Sequence, residues 1–320
     1  MAIRKMPSFF EYMSYMNCFY TSICGPYIDY NDHKDWIEQK GTYARIPSCW
    51  LQLLKWFFFL VLFGVIFSEI QPYFPLEGVL SKEFQESSFA WRVLTSGLCG
   101  TVVRSKYYLS WCVLQLNLIA SGISYSKNKK GEDIWDYISW CDPYAEIPFR
   151  NTLKERIDKW NISPTKFFRL FIYQRLMSIV NIQLFCLVGV FGFNSMWHGL
   201  NAGYYVTLFV LVIPLIESQK CFYRFYQNKL IKHDKKIGKY VTVLSWIYVF
   251  ITIAMMIVCM NLLDWWKIKQ FLGDVYWFNV WMPVGFLTFF KITGIGQRSI
   301  SQGNLKSKEP TLKSTQNPKN

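Results

Sequence analysis

Residues 51–68 read LQLLKWFFFLVLFGVIFS, and further apolar blocks follow at 107–124, 178–197, 202–216, 240–262 and 276–291. Blocks of this kind approach the ~20 residues needed to cross ~30 Å of hydrocarbon as a helix. The blocks therefore predict an all-α, polytopic membrane protein. Composition agrees. Of 320 residues, 52% are hydrophobic and only 18% charged, against about a quarter charged in a soluble chain.

The segments between the blocks are more varied. Residues 9–27 are aromatic-rich but broken by Glu11, Asn17 and Gly25-Pro26, which suits a short or re-entrant element. A polar loop is expected over 29–49. EIQPYFPLEG, with two prolines, reads as turns. Residues 88–103 are mildly apolar and read as re-entrant or interfacial, and 125–156 form the longest hydrophilic stretch. In 157–176, Trp160, Phe167, Phe168, Phe171 and Ile172 alternate with Lys166, Arg169 and Arg175. That spacing predicts an amphipathic helix in the interface, with Pro164 in its first turn. The basic start MAIRKM resembles a signal peptide, but Glu11 and the lack of a small-residue cleavage site argue against one. Residues 1–295 are expected to form one membrane domain, and the polar stretch 296–320 a disordered cytosolic tail.

The net charge is +14, yet nucleic acid is not the expected partner. The excess sits in loops beside apolar blocks, where the positive-inside rule and anionic headgroups favour Lys and Arg. Residues 218–239 carry Lys220, Arg224, Lys229, Lys232, Lys235, Lys236 and Lys239 against Asp234. In 264–274, Lys267 and Lys269 are balanced by Asp264 and Asp274, and the tail is basic again. The alternation places 218–239 and the tail in the cytosol, and the turn at 197–202 toward the lumen. Nine scattered Cys and three His form neither a disulfide framework nor a zinc pattern.

His198 is the most informative residue, because it sits between two apolar blocks in FGFNSMWHGLNAGYY. An ionisable group at membrane depth is costly and points to function. A neutral imidazole bonded across a helix contact and a general base near neutral pH both fit the residue type. His33 and His233 fall in polar loops and carry no such signal. Asn161 follows Trp160 at the start of the amphipathic stretch. Alone it reads as a helix cap or as a glycosylation acceptor, since Asn-Ile-Ser is a sequon. Pro164 and an expected cytosolic position count against the latter.

Together, Trp160-Asn161, the amphipathic stretch ending in YQRL, and SMWHGLNAGYY resemble the membrane-bound O-acyltransferase family, in its lysophospholipid branch. PSFFEYMSYMNCFYTSICGPYIDY and RSKYYLSW add to the likeness, which looks strongest to lysophosphatidylinositol acyltransferases and covers roughly residues 7–292. The resemblance implies a general base at His198 and, at Asn161, a hydrogen-bond donor to the thioester carbonyl as its oxygen gains charge. It also implies substrate contacts from Trp197, Tyr204 and Tyr205, and phosphate contacts from Arg104 and Lys106. Acyl-CoA would be the co-substrate, with no cofactor or metal, and a lysophospholipid, most readily lysophosphatidylinositol, the acceptor. Another headgroup such as lysophosphatidylcholine is the alternative acceptor, and a truncated, inactive partner of a full-length enzyme the alternative role. The expected location is the endoplasmic reticulum membrane. Ala202 stands where the family usually has Pro, Gln115 where relatives commonly have an acid, and Asp29 where a basic residue is common. Family members carry further spans before the segment at Phe9.

Overall fold

The computed structural model describes residues 3, 5–22, 27–146, 159–225 and 235–293. The basic stretch 226–234 with His233, and the tail from 296, lie outside the described residues.

The architecture is helical. In chain order the helices are α1 (Phe9–Met16), α2 (Phe19–Ser22), α3 (Tyr30–Ile37), α4 (Trp50–Val65), α5 (Lys82–Glu86) and α6 (Phe89–Ala120). A two-stranded antiparallel ribbon, β1 (Ser126–Lys127) and β2 (Asp133–Ile134), follows with Ser126 opposite Ile134. Then come α7 (Ile162–Phe168), α8 (Gln174–Val180), α9 (Gln183–His198), α10 (Ala202–Tyr205), α11 (Ile213–Phe225), α12 (Lys235–Leu262), α13 (Trp265–Asp274) and α14 (Phe278–Thr293). π-helical turns at Arg169–Tyr173 and Val206–Val212 join α7 to α8 and α10 to α11 without interrupting the helical path.

Among the described residues, three helical segments are long and apolar enough to cross a membrane: Trp50–Leu80, Ala202–Phe222 and Val243–Leu262. They correspond to the expected blocks at 51–68, 202–216 and 240–262. The block at 107–124 is not a separate element. It is fused with 88–103 into the 32 residues of α6, ~48 Å at 1.5 Å per residue. The polar stretch that suggests a break, Arg104-Ser105-Lys106, is accommodated without one. Arg104 is 2% exposed over the Phe250 ring, and Ser105 Oγ donates to the Val102 carbonyl. The block at 178–197 does break, at Asn181, whose φ of 53° ends α8. Two expected loops are partly helical: α3 lies within 29–49, and α13 fills 264–274.

Burial centres on α6, which packs against α12 on one side and α4 on the other. Cys99, Val103, Met255, Val258, Cys259 and Phe271 belong to the first contact layer. Trp56, Phe59, Phe63, Tyr108 and Cys112 belong to the second. A third cluster, around Tyr20, Ile28, Leu118, Ile138 and Trp140, fixes the N-terminal helices and the loop after the ribbon to the C-terminal end of α6.

Candidate active site

His198 is the last residue of α9. Gly199 follows with φ 126°, a conformation only glycine adopts readily. It turns the chain sharply into Asn201, whose extended backbone starts α10. The turn folds Tyr204 back onto His198, and the two rings stack with centroids 5.2 Å apart and planes 28° apart. The imidazole is exposed at the surface of the described residues, so the stack rather than a buried cage orients it. Gly203 holds the turn to the rest of the protein. Its N–H donates to the Leu263 carbonyl at 2.9 Å, and a Cβ there would meet the Cys259 carbonyl oxygen and Leu263 Cα at 2.9 Å. This close approach of two backbones is what small residues permit in membrane helix contacts.

Asn161 starts the other arm of the helical hairpin that ends at His198. From Asn161, the chain runs through α7 and α8, reverses at Asn181, and returns along α9. Phe168 meets Phe193 and Trp197, and Phe167 meets Trp197, with ring centroids 5.5–6.0 Å apart. Farther along, Leu176 lies against Gly189. Contacts whose partners shift in opposite directions define antiparallel arms, so the open end of the hairpin carries both Asn161 and His198. The interfacial helix expected over 157–176 is thus one arm of this pair. Its start, expected on the cytosolic side, instead stands at the same end as the histidine.

A second route links the same two places. Trp160 packs edge-on against Tyr107, Tyr108 and Trp111 of α6, at 6.1, 5.2 and 4.8 Å. Tyr107 donates to Asn261 Oδ1 at 3.0 Å, and Asn261 lies two residues before Leu263, the partner of Gly203. RSKYYLSW is therefore the wall between the Trp160-Asn161 turn and the His198–Tyr204 stack.

The side chain of Asn161 does not cap its helix. Its backbone carbonyl accepts from Thr165 N–H at 3.1 Å, but no cap bond comes from the side chain, and Oδ1 is buried with no hydrogen-bond partner among the described residues. A buried, unsatisfied amide oxygen costs roughly 1–3 kcal/mol, which a simple cap would avoid. Oδ1 is therefore an acceptor that a donor on a ligand can meet.

The remaining candidates separate. Trp197 sits in the hairpin seam, and Tyr205 stacks on Phe209, one turn along, at 6.5 Å. Lys106 is exposed, 3.5 Å from Asn261 Oδ1, and reaches the site's edge. Arg104 points into the contact between α6 and α12, where Phe250 covers it and Thr101 Oγ1 accepts from it. Gln115, which stands where relatives commonly have an acid, is fully buried and faces the loop at 138–140. Asp29 caps α3 through its carboxylate. A surface cleft of about 260 Å³ is lined by Trp36, Ile37, Gln39, Tyr43, Ile46 and Ser121, and touches none of the site residues. Sequence reasoning missed Asn261, whose amide organises Tyr107 and Lys106; a lone polar residue near the end of an apolar block was its only signal.

The model of the membrane-bound O-acyltransferase family matches residues 1–262. Lysophospholipid acyltransferase 2 of Arabidopsis thaliana is 26% identical over 70% of this chain and 50% of its own length. Membrane-bound glycerophospholipid O-acyltransferase 2 of Mus musculus is 25% identical over 82% of this chain and 52% of its own length. A Xenopus laevis membrane-bound acylglycerophosphatidylinositol O-acyltransferase is 27% identical over 67% and 49%. The chain spans about half the length of these relatives. The matched residues contain the His198 turn, the Asn161 turn and the α6 wall between them: this chain belongs to the membrane-bound O-acyltransferase family.

Proposed function

We propose that the chain carries the acyl-transfer site of a lysophospholipid acyltransferase, with lysophosphatidylinositol as the acceptor and acyl-CoA as the donor. The observation that carries this reading is the hairpin that brings His198 and Asn161 to one end, within a family match that includes both. Neutral His198 accepts the proton of a glycerol hydroxyl. The oxygen attacks the thioester carbonyl, the C–S bond breaks, and the proton passes on to the CoA thiolate. The product is the diacyl phospholipid. The Asn161 amide donates a hydrogen bond to the carbonyl oxygen as it gains charge. The stack on Tyr204 fixes the imidazole plane, and Lys106 lies where a phosphate at the rim of the site would pass. Membership of a polytopic membrane family supports a membrane location, and we place it in the endoplasmic reticulum.

The test supplies membranes containing the chain with labelled acyl-CoA and a panel of lysophospholipids differing only in headgroup. Transfer favouring the inositol headgroup is expected. Transfer to lysophosphatidylcholine in preference would keep the reaction and change the acceptor. No acyl transfer to any lysophospholipid would overturn the reading.

A further inference from the structure

The geometry points to Gln115 as the positioning residue of the Trp160-Asn161 turn, a role that rests on the acyl-transfer reading of Asn161. Gln115 sits on α6, 0% exposed, and uses both ends of its amide on one loop. Nε2 donates to the Ile138 carbonyl at 3.2 Å, and Oε1 accepts from Trp140 N–H at 3.2 Å. The loop is thus held by its backbone, like a strand paired to a side chain.

That loop in turn grips the turn before α7. Ile162 N–H donates to the Trp140 carbonyl at 2.8 Å, and Asp142 N–H donates to the Lys159 carbonyl at 2.9 Å. Lys159 Nζ closes the bracket on the Asp142 carboxylate at 2.8 Å. Between these two backbone bonds lie Trp160 and Asn161 on one side and Cys141 alone on the other. Trp160 is helical and Ile162 opens α7, while Asn161 between them has φ −142° and ψ 70°, so the bracket closes around a break in the helical path that sets the direction of Asn161. Trp160 then finds Tyr107, Tyr108 and Trp111, three residues on the helix that also carries Gln115. α6 therefore fixes the turn twice, once through rings and once through the amide of Gln115.

The Gln115 amide both donates to the Ile138 carbonyl and accepts from Trp140 N–H without a charge. A carboxylate keeps the acceptor and loses the donor, and an aliphatic side chain loses both. Without the amide, Trp140 is free to drift, and Ile162 and Asn161 drift with it. A misplacement of ~1 Å at a reacting group is enough to cost up to ~10²-fold in rate.

The experiment has two arms. Hydrogen exchange of the full chain in detergent compares the parent with Gln115→Ala. Faster exchange is expected in the segments 138–142 and 159–163, which contain the Trp140 and Ile162 amides; unchanged exchange there would overturn the proposal. The second arm measures kcat and KM in membranes for Gln115→Ala, Asn161→Ala and the double variant. The single Gln115 change should lower kcat with little change in KM, and add nothing once Asn161 is already Ala. Losses that multiply would assign Gln115 a general structural role and overturn the proposal. Normal turnover in Gln115→Ala beside a slow Asn161→Ala would overturn it alone, whereas normal turnover in Asn161→Ala would remove the catalytic role of Asn161 as well. Asp142→Asn breaks only the ion pair with Lys159, at the far end of the bracket, and keeps the acceptor for Tyr144 N–H. It should give a smaller kcat loss with the same dependence on Asn161, a result that stands even if Gln115→Ala fails to fold, and independence from Asn161 would again overturn the proposal.

Discussion

His198 and Asn161 differ in how far their roles were legible before the fold. The histidine announces itself by its cost at membrane depth, and the turn chemistry of Gly199 and the stack on Tyr204 then show how its ring is held. His198→Ala is expected to slow acyl transfer by ~10²–10⁴, the usual contribution of a general base, with unchanged expression. Near-normal turnover would remove the assignment. Asn161 reads equally well as a cap until the structure shows the cap bond missing and Oδ1 unpartnered. Asn161→Asp should therefore leave the melting temperature near that of the parent and cut the rate by about 10²–10³, because an ionised carboxylate cannot donate to a developing oxyanion. A stable and active aspartate variant would restore the cap reading. His33 reads in the sequence as a polar-loop residue without a role, and the structure buries it instead. It is 3% exposed on α3, hydrogen-bonded to the Tyr20 hydroxyl and packed against Tyr15 and Trp36. Its partners are separated in sequence by a break, so no local pattern reveals them. Burial holds its pKa below the ordinary value, so the unfolded chain takes up the proton first as pH falls. The stability from neutral His33 is complete above ~6.5, the unfolded value, and is lost as pH falls from there toward the folded value. His33→Gln should destabilise the chain at pH 7.5, by about 1–3 kcal/mol. The gap in melting temperature between parent and variant should narrow toward pH 5.5. A constant gap would show that His33 does not titrate in this range.

At the scale of elements, helices made of unbroken apolar runs were plain in the sequence, and those with polar interiors were not. α4 and α12 follow from composition alone. α6 was cut in two by the polar run at Arg104, since nothing local says that Phe250 will cover that guanidinium. The hairpin of α7, α8 and α9 was hidden for a different reason. Its reversal is a single left-handed residue, Asn181, within what reads as one apolar block, and its antiparallel sense depends on long-range contacts between aromatic rings. The bracket around Asn161 was hidden for the same reason, because a loop paired through a side-chain amide has no periodicity to detect. Where elements meet most closely the demand on sequence is local and testable. Gly203→Ala would place a methyl against the Cys259 carbonyl and the Leu263 backbone, neither of which can rotate away. It should destabilise the protein by about 1–3 kcal/mol and lower activity by shifting Tyr204 against His198. Gly199→Ala offers a contrast, since there the strain is in φ and not in space. Equal melting temperatures for Gly203→Ala and the parent would mean that α10 and α12 are not in close contact.

The topology of the whole molecule joins charge to geometry. Seven basic residues against one acid in 218–239 favour the cytosol for the ends of α11 and α12 that face that segment. Ala202–Phe222 and Val243–Leu262 are each long enough to cross, so the far ends of both belong on the opposite side. The structure supplies an independent constraint, because Gly203 N–H donates to the Leu263 carbonyl and pins those two far ends together. α13, the His198 turn and, through Tyr107 and Asn261, the Trp160-Asn161 turn are then assigned as one group. No member of that group can change sides alone. An epitope tag at 228, probed with protease in sealed microsomes, should be cut from outside. A cysteine at exposed Lys267 on α13 should resist a membrane-impermeant maleimide until the membrane is opened, measured as the increment over the parent chain. Acyl-CoA, a cytosolic anion, would then reach His198 by threading its pantetheine and acyl chain inward from the other side. Labelling of the Lys267 site in sealed microsomes, with protection of the tag at 228, would invert the whole group. It would put His198 and Asn161 beside the cytosol, where the donor needs no passage through the membrane.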